Sequence, residues 1–249
     1  MATSTHPAHD AVMERLDRVD DPELDRSIVE LEYISDLTID GAAVTVEFTL
    51  PTAWCSPAFA WMMATGAREE IEDLPGVTEC TVQITDHMHA EGINRGVNEE
   101  LKFEDVFPDA EDGIEAVRRT LDEKARMARQ FRAVEALRQA GVTPAQIVEL
   151  RREEVSLEDE RTFLTLADGG LMISVSTEPI AEYLEKATTV GIVTDSADRL
   201  FATPEGDPIS VDEFEDVHRR ARLAKTNVAG QGSVCAGLNE VRNGVVPEP

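Results

Sequence analysis

Lysine is nearly missing from this chain. Of 249 residues only Lys102, Lys124, Lys186 and Lys225 are lysine, and 23 bases in all stand against 50 acids. The net charge of −27 repels polyphosphates, which excludes nucleic acid as a partner. Such a lysine-poor, acid-rich surface suits high salt, where screening limits self-repulsion. Cysteine is scarce too, with Cys55, Cys80 and Cys235 alone. An odd count, long spacings and no CxxC exclude both a disulfide framework and a complete cluster-binding set from one chain. No apolar run approaches the ~18 residues of a membrane span. The start, Met1 to Pro7, has neither a basic segment nor an apolar core, so no signal peptide is expected and the cytoplasm is the expected compartment. What remains is 42% apolar, enough for a sizeable core and for two small domains.

Hydrophobic periodicity sets out the elements. Residues 8–19 read as a short amphipathic helix with Val12, Leu16 and Val19 on one face, broken at Asp20-Asp21-Pro22-Glu23. Tyr33 to Ile39 reads as a strand and Asp40-Gly41 as a hairpin turn. Val44, Val46, Phe48 and Leu50 alternate with polar residues in a half-buried strand. A helix from Pro57 to Asp73 and a third strand from Thr78 to Thr85 follow. This α-β-β-α-β order predicts a small α+β layer with helices on one side of the sheet. His87 to Asn98 reads as a polar connector.

A composition shift over Phe107–Gly113 marks a boundary before a second, helix-rich α+β domain. That domain has a long charged helix over 114–139 and a short one from Pro144 to Leu150. Strands at 162–166 and 171–175 flank Asp168-Gly169-Gly170, and a helix opens at Thr177. Ser210 and Glu213 form a capping box before a helix ending near Lys225. The expected divisions are 1–107, 108–226 and a flexible, irregular glycine-rich tail over 227–249.

Cys55 carries most of the chemistry. It lies in Thr52-Ala53-Trp54-Cys55-Ser56-Pro57, between a strand and a helix. Pro57 suits the first helical position and Ser56 can cap. The sulfur then sits at the positive end of a helix dipole, which favours a thiolate. The alternative is a free cysteine packed under a loop. Metal or cluster coordination ranks above covalent catalysis, because no histidine adjoins Cys55 in sequence to act as its base. His87 and His89, at i and i+2, reach one metal together if extended, or are simply a solvent-exposed pair. Met88, between them, is expected to point into the core. Asp20, Asp21 and Glu23 flank a turn, where their carboxylates could join a metal site, hydrogen-bond the Cys55 loop, or simply be solvated. Cys80 is in phase with Val82 and Ile84 and reads as core. Cys235, in Gly230–Gly237, is an alternative ligand that the tail could deliver to the Cys55 region or to a partner, unless the tail is simply mobile. Trp54 could shield the sulfur or form a docking patch.

The first ~85 residues resemble the SufT/PaaD-like iron–sulfur cluster assembly domain family. The resemblance rests on Asp21-Pro22-Glu23, Ser27-Ile28-Val29-Glu30-Leu31, the Asp40-Gly41 hairpin, Phe48-Thr49-Leu50, Thr52 with Cys55 and Pro57, and Leu74-Pro75-Gly76-Val77. The family has Cys followed directly by Pro, whereas Ser56 intervenes here. Trp54-Cys55-Ser56-Pro57 with His87 and Asn94 is similar to a branch found with bacterial diiron hydrocarbon monooxygenases. Residues 131–243 are faintly similar in rhythm to the tyrosine recombinase core, but lack its catalytic elements.

The family resemblance implies a non-catalytic maturation factor. It would deliver an iron–sulfur cluster or iron to a client apoprotein and work with the iron–sulfur assembly machinery. Cys55 is the implied ligand, with Asp21, Glu23 and Thr52 in support and His87 and His89 as further ligand candidates. One thiolate per chain suits a labile cargo shared with a client or across a homodimer. Two other readings stand beside it. One is a thiol- or metal-dependent enzyme using Cys55 with His87 or His89. The other is a structural accessory protein of an oxygenase complex.

Overall fold

The computed structural model describes residues 6–110, 113–166 and 170–242. The chain divides into two compact units, Met1–Arg119 with Gly230–Pro249, and Thr120–Ala229. Both mix helices with small sheets, as the α+β reading requires.

In the first unit, α1 (His9–Leu16) buries Val12 and Leu16. The breaker after it forms a miniature ladder of β1 (Asp20–Asp21) and β2 (Arg26–Ser27), with Asp20 opposite Ser27. β3 (Ile34–Asp40) and β4 (Ala43–Thr49) make the expected hairpin, turned by Gly41 at φ +63°. A positive φ there is what glycine supplies without steric cost. α2 (Pro57–Glu72) then crosses over to β5 (Glu79–Thr85), which pairs parallel with β4. The register aligns Val44 with Cys80, Val46 with Val82 and Phe48 with Ile84. All six are buried, so one face of the three-stranded sheet is apolar. Trp61, Met63, Ala67 and Ile71 of α2 join that core.

The segment expected as a polar connector is instead mostly a helix, α3 (Ala90–Asn98). Its physical role is plain. β5 is an edge strand, and Asn94 and Asn98, one turn apart on α3, cover its open backbone. Asn94 Oδ1 accepts from Ile84 N–H (2.8 Å) and its Nδ2 donates to Ile84 C=O (3.1 Å). Asn98 does the same for Val82, at 2.9 and 2.8 Å. Two side-chain amides thus stand where a fourth strand would pair. Ile93 and Val97 bury the other face of α3. Gly96 lets the helix approach Trp61, whose ring atoms occupy the space a Cβ would need. α4 (Phe103–Val106) closes this end, with Phe103 edge-on to Trp61 at 5.5 Å between ring centroids.

The second unit holds most of α5 (Ile114–Gln139), then α6 (Pro144–Glu149) and a meander of β6 (Val155–Leu157), β7 (Arg161–Leu166) and β8 (Leu171–Ser176). α7 (Thr177–Thr189) and α8 (Phe214–Arg242) follow. Asp168 and Gly169 of the expected hairpin turn lie outside the described residues. Its core is one apolar cluster that includes Leu137, Ile147, Leu164, Ile180 and Phe201. Arg126, 1% exposed, is held inside by Gln130 Oε1 (3.1 Å) and by the Thr203 and Pro204 carbonyls (2.7 and 3.3 Å). A buried guanidinium is tolerated only with such acceptors. The Ser210–Glu213 box is formed, with Glu213 N–H on Ser210 Oγ (3.3 Å).

The largest departure lies in the expected tail. Residues 227–242 are not irregular: they continue α8, and from Gly230 onward they count with the first unit. Gly230, Gly232 and Gly237 lower helix propensity, which is why the sequence read as coil. Tertiary hydrogen bonds override it: Gln231 Nε2 donates to Glu23 (2.7 Å), Asn239 Nδ2 to Leu31 C=O (3.0 Å), and Arg242 to Leu50 C=O (3.0 Å).

Candidate functional site

Every residue of the candidate site lies in the first unit. The loop from Leu50 to Ser56 leaves β4 and enters α2. Pro57 opens the helix as expected, but Ser56 makes no side-chain capping bond; its backbone is extended, with the proline at N1. Thr52 organises the turn. Its Oγ1 accepts from Trp54 N–H (3.3 Å) and lies 3.4 Å from Cys55 Sγ. Cys55 is half-buried.

His87 fastens the loop from the segment that leaves β5, the parallel neighbour of β4. Its Nδ1 accepts from His89 N–H (3.2 Å), so the ring proton is on Nε2, which donates to Cys55 C=O (3.0 Å). Burial lowers the pKa of His87, more than the Cys55 carbonyl raises it, and favours this neutral form. Both ring nitrogens are therefore engaged, and neither offers a lone pair to a metal in this conformation. His89 is exposed at the start of α3, its ring 6.0 Å from that of His87 and edge-on to Phe107 at 5.5 Å. The expected alternation fails because Asp86 adopts φ +53° and breaks the strand direction. His87 turns in, and Met88, expected in the core, turns out at 58% exposure. Met88 N–H donates to Ala53 C=O (3.0 Å), which joins its loop to that of Trp54, itself 76% exposed.

Asp21 is buried. Oδ1 accepts from Glu23 and Leu24 N–H (2.9 and 3.2 Å), and Oδ2 from the Tyr33 hydroxyl (3.2 Å). Burial raises its pKa in spite of these bonds. Tyr33 is held protonated, first by burial and then by the charges of Asp21, Cys235 and Cys55. Cys235 is half-buried on α8. Burial, and after it the charges of Asp21, Cys55 and Glu23, push its thiol up. Cys80 sits in the core, its thiol pushed up to about 12, chiefly by burial.

Cys55, Thr52 and His87 are thus brought together, with Asp21, Glu23 and Cys235 nearby on the same unit. Among the described residues no three His, Cys, Asp or Glu side chains converge as a ready-made metal cage. Tyr33, Gln231 and Asn239 escaped sequence reasoning. Residues 231, 235 and 239 fall on one helical face, a signal visible only once that segment is read as helix.

Residues 9–84 match the family described as iron–sulfur cluster assembly protein. That stretch holds the Asp21 turn, the sheet and Cys55. The chain is also similar to the iron–sulfur cluster carrier protein of Synechocystis, 36% identical over 76 residues. The alignment covers 30% of this chain and 21% of that relative, so the two share one module rather than a whole architecture. Among the described residues, no helix is long and apolar enough to cross a membrane.

Proposed function

We propose that this chain is a non-catalytic maturation factor, in which Cys55 holds an iron–sulfur cluster or iron and passes it to a client apoprotein. The observation that carries this reading is the presentation of Cys55. The half-buried Cys55 stands on a loop anchored by Thr52 and His87, within the stretch similar to the assembly family. Thiolate is the preferred protein ligand for such cargo. A single cysteine supplies one coordination position and leaves others to the assembly machinery, the client or a second copy. A cargo held by few protein sulfurs is released more readily than one in a closed four-cysteine site.

In this reading His87 is a positioning residue, because its nitrogens serve the backbone. His89 is the imidazole open to a cargo or a client. Asp21 and Glu23 shape the floor of the site, and the second unit serves client recognition or self-association. The proton-bearing nitrogen of His87 points at the carbonyl of Cys55, not at its sulfur. That geometry favours a carrier over a thiol–imidazole enzyme, where the base must reach the nucleophile.

Transfer to an apo-ferredoxin tests the proposal. The chain is mixed anaerobically with iron, sulfide and the acceptor, with a chelator present to trap free iron. Wild type is expected to speed chelator-resistant appearance of holo-ferredoxin, and Cys55→Ser to fall to the protein-free rate. Equal rates for the two proteins would overturn it.

A further inference from the structure

Cys55 and Cys235 both belong to the first unit although they are far apart in sequence. The C-terminal half of α8 places the second one. Gln231, Cys235 and Asn239 lie at i, i+4 and i+8, so they share one face of the helix. Gln231 is tied to Glu23 (2.7 Å), two residues beyond Asp21. Asn239 is tied to Leu31 C=O (3.0 Å), two residues before Tyr33. Arg242 holds Leu50 C=O (3.0 Å), where the Cys55 loop begins. Cys235 sits midway along the helix between the first two ties, and it lines one small surface cavity of about 140 Å³ together with Tyr33. The Tyr33 hydroxyl reaches Asp21, and Tyr33 lies within electrostatic range of both sulfurs.

We infer that Cys235, carried on the docked end of α8, is the second thiolate of the Cys55 site, so that one chain offers two sulfurs to a thiophilic ion such as iron. This rests on the proposed role of Cys55 and extends it. The helix that carries the second sulfur is weak on its own. Gly230, Gly232 and Gly237 have nothing within 4 Å of a would-be Cβ, so no close packing demands them. They lower the helix propensity of this end, which the ties from Gln231, Asn239 and Arg242 fasten to the first unit. A ligand on such a strap can grip a cargo and let go without unfolding the sheet that carries Cys55.

Cobalt(II) alone is the probe, titrated anaerobically into the full chain. Its sulfur-to-metal charge-transfer band grows with the number of thiolates bound. Wild type is expected to show a two-thiolate intensity, Cys55→Ser and Cys235→Ser about half of it each, and Cys80→Ser no change. A band lost in Cys55→Ser but undiminished in Cys235→Ser overturns the inference and leaves the role of Cys55 intact. A band untouched by Cys55→Ser overturns both. A second measurement is independent of metal and of variants: a short bis-electrophile that fluoresces on bridging two thiols. It is expected to yield a 55–235 bridged peptide from monomeric chain, and single adducts alone contradict the pairing.

Discussion

Asp21 offers the sharpest test of how the fold supports the site. Three donors point at its carboxylate: the Glu23 and Leu24 amides and the Tyr33 hydroxyl. Truncation to alanine strands them. The Leu24 and Tyr33 bonds are buried, and a buried donor left unpaired costs about 1–3 kcal/mol. Part of that loss is offset, because burial already disfavours the charged carboxylate and raises its pKa. A net destabilisation of about 2–4 kcal/mol follows for Asp21→Ala, a large share of the roughly 5–15 kcal/mol that holds a domain. Asp21→Asn keeps an oxygen for the two amides and can donate to Tyr33, so about 1 kcal/mol or less is expected. The pH dependence has a definite sign. The folded pKa of Asp21 lies above the ordinary 3.8, so its contribution is fully present below that value and is lost as pH rises through the folded one. Wild type should therefore gain stability relative to Asp21→Asn on acidification. Urea unfolding of both proteins across the acid range measures the difference, and the carboxylates they share cancel in it. A wild type that loses ground to Asp21→Asn as pH falls would refute the reasoning.

Three other perturbations follow from the same geometry. Asn94→Ala and Asn98→Ala each uncover one N–H and one C=O of β5; each should cost about 1–3 kcal/mol in chemical denaturation and speed amide exchange at Ile84 or Val82 respectively. His87 has a lowered pKa, so the stability it lends is present above the ordinary 6.5 and lost as pH falls through its folded value. Alkylation of Cys55, corrected for thiolate fraction, should speed up on acidification in wild type and be uniformly fast in His87→Ala. Replacing Gly230, Gly232 and Gly237 together by alanine adds about 2–3 kcal/mol of helix propensity at positions with room for a methyl group. Amide exchange over 230–242 should slow markedly, and cargo should leave the chain more slowly.

Much of the first unit was legible because its signals are local. The alternation in β4, the glycine turn at Gly41 and the proline opening α2 each act within a few residues, and each stands as the sequence implied. α3 was illegible for the opposite reason. Asn94 and Asn98 look like solvent-facing polar residues until the open edge of β5 is beside them. The same holds for α8 beyond Lys225, where three glycines argue for coil and bonds to Glu23, Leu31 and Leu50 decide for helix. At the site, Cys55 and its turn were readable from Thr52 to Pro57. The role of His87 was not, since spacing cannot reveal that Asp86 at positive φ breaks the strand alternation and turns the imidazole inward.

The central claim is that Cys55 is where the cargo is held. Anaerobic loading with ferrous iron and sulfide, then gel filtration and iron and sulfide analysis per chain, tests it most directly. Wild type should retain iron with sulfur-to-iron charge-transfer absorption, and Cys55→Ser should retain much less of both. Equal iron and equal absorption in the two proteins would contradict the account.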